Sequence, residues 1–306
     1  MTTPVEQVLI TEVVLRDGLQ DEKITVPTDE KVRLAQGLVA AGLTSLEVGS
    51  FVHPDRVPQM ADTDAVLARL LPDTPAVLHT LVFNERGARR AIAAGARDVR
   101  FVVSASEGHS VANAGIGTDA ALARLASCAV LLSDAGVGVE ACVATAFVCP
   151  FDGDTPPARV VRVVDRLVGM GARVVHLADT IGAANPAQVA ETITAVRDRH
   201  ADLPLGLHLH NTYGMALASA LAAIRLGVRR FDASLGGIGG CPFAPGAAGN
   251  VATDDLVHLL HREGIATGID GVKLAGLRDE IGLALGHPLD SALAAVPAVP
   301  SALRVH

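Results

Sequence analysis

Leu205-Gly206-Leu207-His208-Leu209-His210-Asn211 decides how the rest of the chain is read. Its polar and apolar residues alternate with a period of two, the mark of a β-strand whose faces meet different surroundings. His208 and His210 therefore share one face. Two neighbouring imidazoles are awkward in a packed core, although paired core histidines bonded to backbone carbonyls would be the plainer alternative. They are well suited to a divalent metal, because each offers a neutral ring nitrogen at a fixed spacing. Residues 205–224 carry no formal charge, yet they include the histidine pair, Asn211 and Gly214. They read as a strand followed by a helix rather than a membrane span.

On both sides of this stretch, short β-branched apolar runs alternate with longer Ala/Leu/Arg segments of helical period. Strands are expected over residues 10–15, 45–49, 77–83, 99–104, 137–145, 174–178, 205–210 and 231–235. Helices are expected over 29–41, 61–70, 84–94, 119–135, 157–170, 186–199, 215–226 and 254–263. Thr28 and Thr118 suit N-caps, and Pro157 and Pro186 suit first turns. Gly42, Gly95, Gly136, Gly171, Gly227 and Gly264 each follow a helix, where a left-handed cap favours a residue without a Cβ.

Eight strand–helix units in strict alternation predict an α/β fold, a parallel eight-stranded (β/α)8 TIM barrel. An open doubly wound sheet normally carries Gly-x-Gly-x-x-Gly after its first strand, and here that turn reads Arg16-Asp17-Gly18-Leu19-Gln20. The barrel is expected over residues 1–269. Residues 270–306 would form a short helical extension (helix 272–285) and a tail within the same domain, bound to the surface or frayed from Pro288 onward.

Among 306 residues, half are hydrophobic and only 3% aromatic, so Ala, Val, Leu and Gly must do the packing. The net charge of −8 comes with no basic run, which argues against a nucleic-acid partner. Cys128, Cys142, Cys149 and Cys241 show neither Cys-x-x-Cys spacing nor disulfide density, and a reducing cytoplasm is the natural expectation. The opening Met1-Thr2-Thr3-Pro4-Val5-Glu6-Gln7 lacks the basic and apolar regions of a signal peptide.

In a barrel of this kind the chemistry sits at the C-terminal ends of the strands, and those ends carry polar groups in succession. The first strand ends in Arg16-Asp17, and the second holds Glu47 between two apolar neighbours. The sixth ends in Asp179-Thr180, the seventh in the histidine pair, and the eighth contains Asp232, expected as a structural hydrogen-bond partner. A glycine-rich loop, Gly236-Gly237-Ile238-Gly239-Gly240-Cys241, could bring its backbone and a thiol against a ligand. Asn250 follows it. Several buried carboxylates need cations beside them, and a metal with Arg16 would supply the charge. His53, His79, His109 and His176 stand alone and are expected to be structural.

With these motifs assembled, the chain resembles the 3-hydroxy-3-methylglutaryl-CoA (HMG-CoA) lyases, within the wider group of TIM-barrel metal-dependent lyases and Claisen-type synthases. The resemblance spans residues 10–288. It is carried by Arg16-Asp17-Gly18-Leu19-Gln20, Leu46-Glu47-Val48-x-Ser50-Phe51-Val52, Val57-Pro58-Gln59-Met60-Ala61-Asp62, Asp179-Thr180-Ile181-Gly182 and His208-x-His210-x-Thr212-Tyr213-Gly214. The most specific motif is Gly239-Gly240-Cys241-Pro242-Phe243-Ala244-x-Gly246-Ala247-x-Gly249-Asn250.

The resemblance implies cleavage of HMG-CoA, or a close 3-hydroxyacyl-CoA, to acetyl-CoA and acetoacetate. The alternative is a lyase for another 3-hydroxyacyl-CoA or a Claisen-type condensing enzyme of the same group. It implies Mg²⁺ or Mn²⁺ held by Asp17, His208, His210 and Asn250, with Arg16, Glu47, Asp179, His208 and Cys241 serving the chemistry. Asp179, Glu47 and His208 are all candidates for the base, and Cys241 is the proton donor or relay. The implied partner is a small-molecule acyl-CoA, with no nucleic acid or membrane, in a homo-oligomer (dimer or tetramer). The chain departs from the family pattern at Asn211, where the lyases carry Asp. In residues 104–117, where the family has cations and two asparagines that could meet CoA, it keeps only Asn113.

Overall fold

Alternation along each strand sorts the side chains into two layers, and this sorting closes the sheet. A computed structural model describes residues 7–240 and 249–296. In chain order the first half comprises β1 (Leu9–Glu12), α1 (Thr28–Ala40), β2 (Ser45–Ser50), α2 (Thr63–Leu70), β3 (Val77–Leu81), α3 (Glu85–Ala93), β4 (Asp98–Ser104), α4 (Glu107–Ala114), α5 (Thr118–Asp134) and β5 (Gly138–Ala144). The second comprises β6 (Val148–Cys149), β7 (Gly153–Asp154), α6 (Pro157–Gly169), β8 (Val175–Asp179), α7 (Pro186–Arg199), β9 (Leu205–Leu209), α8 (Ala216–Arg225), β10 (Arg230–Ala233), α9 (Thr253–Arg262) and α10 (Gly271–Leu285). Eight strands form a closed parallel barrel in the order β1-β10-β9-β8-β5-β4-β3-β2, while β6 and β7 make a separate antiparallel hairpin. The expected (β/α)8 architecture is present.

Outward-facing residues such as Ile10, Leu46, Val99, Phe101, Val175, Leu207 and Phe231 are buried against the helices. The barrel's interior is different. Thr11 on β1 lies 2.9 Å from Ser45 on β2, and Arg100 on β4 reaches carboxylates on β2, β5 and β10. Branched aliphatic side chains usually fill that space.

Several expectations need correction. The first strand stops at Glu12, short of residue 15. Its carboxylate accepts the Val14 amide (2.9 Å), and the chain enters a π-helical turn, Val14–Gly18. Residues 104–117, lying between the strand expected to end at 104 and the helix expected from 119, contain α4, which ends on left-handed Gly115 (φ 71°). The short hairpin of β6 and β7 was not expected either. Thr28 and Thr118 are first residues of their helices rather than side-chain caps. Thr28 donates to Asp62 instead (2.7 Å), and Thr118 to the Ser104 carbonyl (3.2 Å). Pro157 and Pro186 do begin helices, and the six glycines after helices all have positive φ. The extension is helical, with Asp270 capping α10 through the Val272 and Lys273 amides. Residues 288–296 of the tail turn back onto the barrel, where Ser291 Oγ donates to Asp254 (2.6 Å).

Candidate active site

The π-helical turn after β1 carries Arg16 and Asp17. Such turns, with one extra residue in the hydrogen-bonded ring, are frequent at functional sites. Arg16 donates through Nε to Glu47 Oε1 and through Nη1 to Asp17 Oδ1. Glu47 is fully buried on β2. Burial alone would raise the Asp17 pKa, but Arg16, the two imidazoles and the Asn250 amide outweigh it and hold it at about 2.

On β9, the inward phase runs through Gly206, His208 and His210. The glycine is required: a Cβ there would come within 2.6 Å of the His176 ring. His208 Nε2 and His210 Nε2 lie 3.3 Å apart, and Asp17 Oδ2 is 3.8 Å from the first and 3.9 Å from the second. Ligands bound about 2.1 Å from Mg²⁺ would be roughly 3.0 Å apart when adjacent and roughly 4.2 Å apart when opposite. The observed triangle falls between those limits.

Asn250 joins the triangle through backbone pairing. Residues 249–251 run alongside the end of β9, with the Asn211 amide on the Gly249 carbonyl (2.9 Å) and the Val251 amide on the Leu209 carbonyl (2.8 Å). Asn250 Nδ2 then donates to Asp17 Oδ2 (2.7 Å) and the Ile238 carbonyl (3.2 Å). Its buried Oδ1 accepts no hydrogen bond from the described residues. Gly239 (φ 115°) leaves the necessary room, since a Cβ at that position would lie 2.5 Å from Asn250 Nδ2.

The donor set suits a hard divalent cation: one carboxylate, two imidazoles and an orphan amide oxygen. Burial, then the neighbouring His208, lowers the His210 pKa to about 4, leaving a neutral ring. Burial pulls His208 down too, but the Asp232 hydrogen bond and Asp17 prevail, and its pKa is raised. Asp232 Oδ2 meets His208 Nδ1 at 3.2 Å, which keeps Nε2 toward Asp17 and His210. Asp17, Glu47, Glu140 and Asp232 face Arg16 and Arg100 in this interior. The carboxylates outnumber the guanidiniums, a surplus that a divalent cation would offset.

Asp179 ends β8, its two oxygens accepting the Ala183 (3.1 Å) and Ala184 (3.0 Å) amides. Burial exceeds the effect of these bonds and raises its pKa to about 6. Asn211 Oδ1 accepts the Ala216 amide at the start of α8 (3.2 Å), a task an aspartate could also perform. Asn113 is exposed near the end of α4, outside the buried cluster. Cys241 lies outside the described residues.

Sequence reading missed Arg100 and Glu140, and placed His79 and His176 apart from one another. In the barrel both imidazoles approach Glu140, at 3.9 and 3.8 Å. The available signal was the one that singled out Glu47, a charged residue between apolar neighbours, as in Val99-Arg100-Phe101. Asp232 is the hydrogen-bond partner expected, and its partners are His208 and Arg100.

The HMGL-like family model matches residues 7–281. The chain is 43% identical to the (R)-citramalyl-CoA lyase of Chloroflexus aurantiacus, covering 93% of each sequence. It is 40% identical to the mitochondrial hydroxymethylglutaryl-CoA lyase of Mus musculus, covering 96% of this chain and 90% of that one. A solved HMG-CoA lyase from Acinetobacter baumannii, in complex with coenzyme A and 3-methylmalate, superposes with a TM-score of 0.91 at 38% identity, over 98% of this chain and all of that one. The chain therefore belongs to the HMGL-like family.

Proposed function

We propose that this protein is a divalent-metal-dependent carbon–carbon lyase that cleaves HMG-CoA to acetyl-CoA and acetoacetate. The observation that carries the reading is the triangle of half-buried Asp17 with buried His208 and His210, and the orphan Asn250 oxygen beside it. Mg²⁺ or Mn²⁺ held by these four residues would make the substrate's C3 hydroxyl more acidic and anchor its carboxylate.

The protein's own groups then divide the work. Asp179, with a pKa of about 6, accepts the hydroxyl proton. As C3 becomes a ketone, the electron pair of the C2–C3 bond moves into the thioester as an enolate. Arg16, aligned by Glu47 and Asp17, stabilises that negative charge. Cys241 returns a proton to C2, completing acetyl-CoA. Asn113 contacts the CoA portion. Cys128, Cys142 and Cys149 are buried free thiols, which supports a reducing cytoplasmic setting. A homo-oligomer, a dimer or tetramer, is part of the same reading.

A second substrate has a specific observation in its favour. The (R)-citramalyl-CoA lyase relative is 43% identical, and citramalyl-CoA carries its carboxylate directly on the hydroxyl-bearing carbon. The same bond cleavage would yield acetyl-CoA and pyruvate.

The test offers both thioesters to the purified protein with Mg²⁺ or Mn²⁺ and follows the ketone with acetoacetate- or pyruvate-specific dehydrogenases. Acetoacetate release abolished by EDTA and restored by metal is the expected result. Pyruvate release alone would transfer the assignment to citramalyl-CoA. Turnover that survives exhaustive chelation would refute the metal role.

A further inference from the structure

Arg100 projects from the middle of β4 into the barrel interior and is 1% exposed. Its guanidinium meets side chains from four other strands. Nη1 lies 2.8 Å from Asp232 Oδ2 and 3.1 Å from Glu47 Oε2. Nη2 lies 3.2 Å from Glu140 Oε2 and 3.5 Å from His176 Nε2. Two of these partners lead directly to the site. Glu47 uses its other oxygen to hold Arg16 Nε, and Asp232 uses the oxygen shared with Arg100 to hold His208 Nδ1.

A buried cation is a costly way to fill a barrel. An aliphatic residue would pack there without desolvating a charge. It would also leave Glu47 and Asp232 without the cation that joins them, and each would be free to turn from the residue it aligns. One guanidinium nitrogen lies against two carboxylates and the other against a third, a spread of charge over a planar fork that a lysine ammonium cannot reproduce.

We propose that Arg100 is a positioning residue that sets Arg16 and His208 together, through Glu47 and Asp232. It touches neither substrate nor metal, and its effect passes entirely through those two carboxylates. This inference rests on the metal-lyase reading above.

The test is Arg100→Lys, which keeps the charge and removes the fork. Mn²⁺ binding is measured calorimetrically on the protein without substrate, alongside steady-state kinetics. Loss of a group that orients a metal ligand typically weakens metal binding about 10–100-fold. The Mn²⁺ dissociation constant is therefore expected to rise about tenfold or more. The kcat should fall by a similar factor, with KM for the thioester changed less than about threefold. A folded Arg100→Lys protein with Mn²⁺ affinity and kcat within about twofold of the parent overturns the proposal.

If Arg100→Lys does not melt cooperatively, Arg100→Met combined with Glu140→Met removes a buried ion pair as a unit. A folded double variant that binds Mn²⁺ about tenfold more weakly supports the positioning role. One that binds it as tightly as the parent overturns it. The parent protein separates the two levels of inference: if it binds no Mn²⁺, the metal-lyase reading itself falls.

Discussion

The two faces of β9 belong to different regions of the molecule. Leu205, Leu207 and Leu209 face the helices in an apolar shell, whereas Gly206, His208 and His210 face an interior of carboxylates, imidazoles and two guanidiniums. The shell is held by dispersion and by the removal of apolar surface from water, both tolerant of modest changes in shape. The interior is held by charge compensation and directional hydrogen bonds, and removing a single partner leaves another buried and unpaired. Apolar packing and chemistry therefore occupy opposite sides of the same strands, one residue apart.

The largest effect expected from breaking this division is on the inner side. Arg16→Gln removes the positive group proposed to stabilise the enolate, while Glu47 keeps its ion pair with Arg100. Loss of one such donor costs about 10²–10³-fold in kcat. Steady-state kinetics should show that loss, and a parallel thermal melt should show a lower Tm, because Asp17 loses its guanidinium partner. An unchanged Tm would mean that the interior's ion pairs contribute nothing to stability.

Glu12 is an acid on the outer face, bonded to Thr253 Oγ1 (2.7 Å) and to the Val14 and Leu235 amides. Burial outweighs these bonds and raises its pKa from 4.5 to about 7. Between those values the folded state binds more protons than the unfolded state, so this group's contribution falls as pH rises. The loss between pH 4.5 and 7 is on the order of 3 kcal/mol. In Glu12→Gln that decline should vanish from urea-unfolding free energies compared at pH 5 and pH 8. A variant that keeps the parent's full slope would assign it to other groups.

The smallest effect is within the shell. Ile10→Val deletes one methylene from a residue that is 2% exposed on the outer face of β1, next to inward-facing Thr11. It should destabilise by about 0.5–1.5 kcal/mol and leave kcat and Mn²⁺ affinity unchanged. A measurable change in either would show that the two faces are mechanically coupled.

Strand–helix alternation, the histidine pair and the strand-end acids are legible in the sequence because each depends on periodicity within one segment. The π-helical turn at Val14–Gly18 is not, since the apolar Val13-Val14-Leu15 continues the strand pattern, while the Val14 amide goes to the Glu12 carboxylate and the Gly18 amide to the Val13 carbonyl. Helix α4 is hidden because Gly108, Ser110 and Asn113 interrupt its eight residues, and local propensity reads such a stretch as loop. Arg100 carried the alternation signal but no motif around it.

The number of strand–helix units, their inward phase and the identities of the polar groups at the strand ends all follow from local spacing. Which of those groups meet depends on the closed barrel. Asn250 reaches Asp17, 233 positions away, because residues 249–251 pair with the end of β9. Arg100 links Glu47 to Asp232 because a closed barrel turns inward-facing residues of separate strands into neighbours. Closure is a property of the whole sheet, which no single segment encodes.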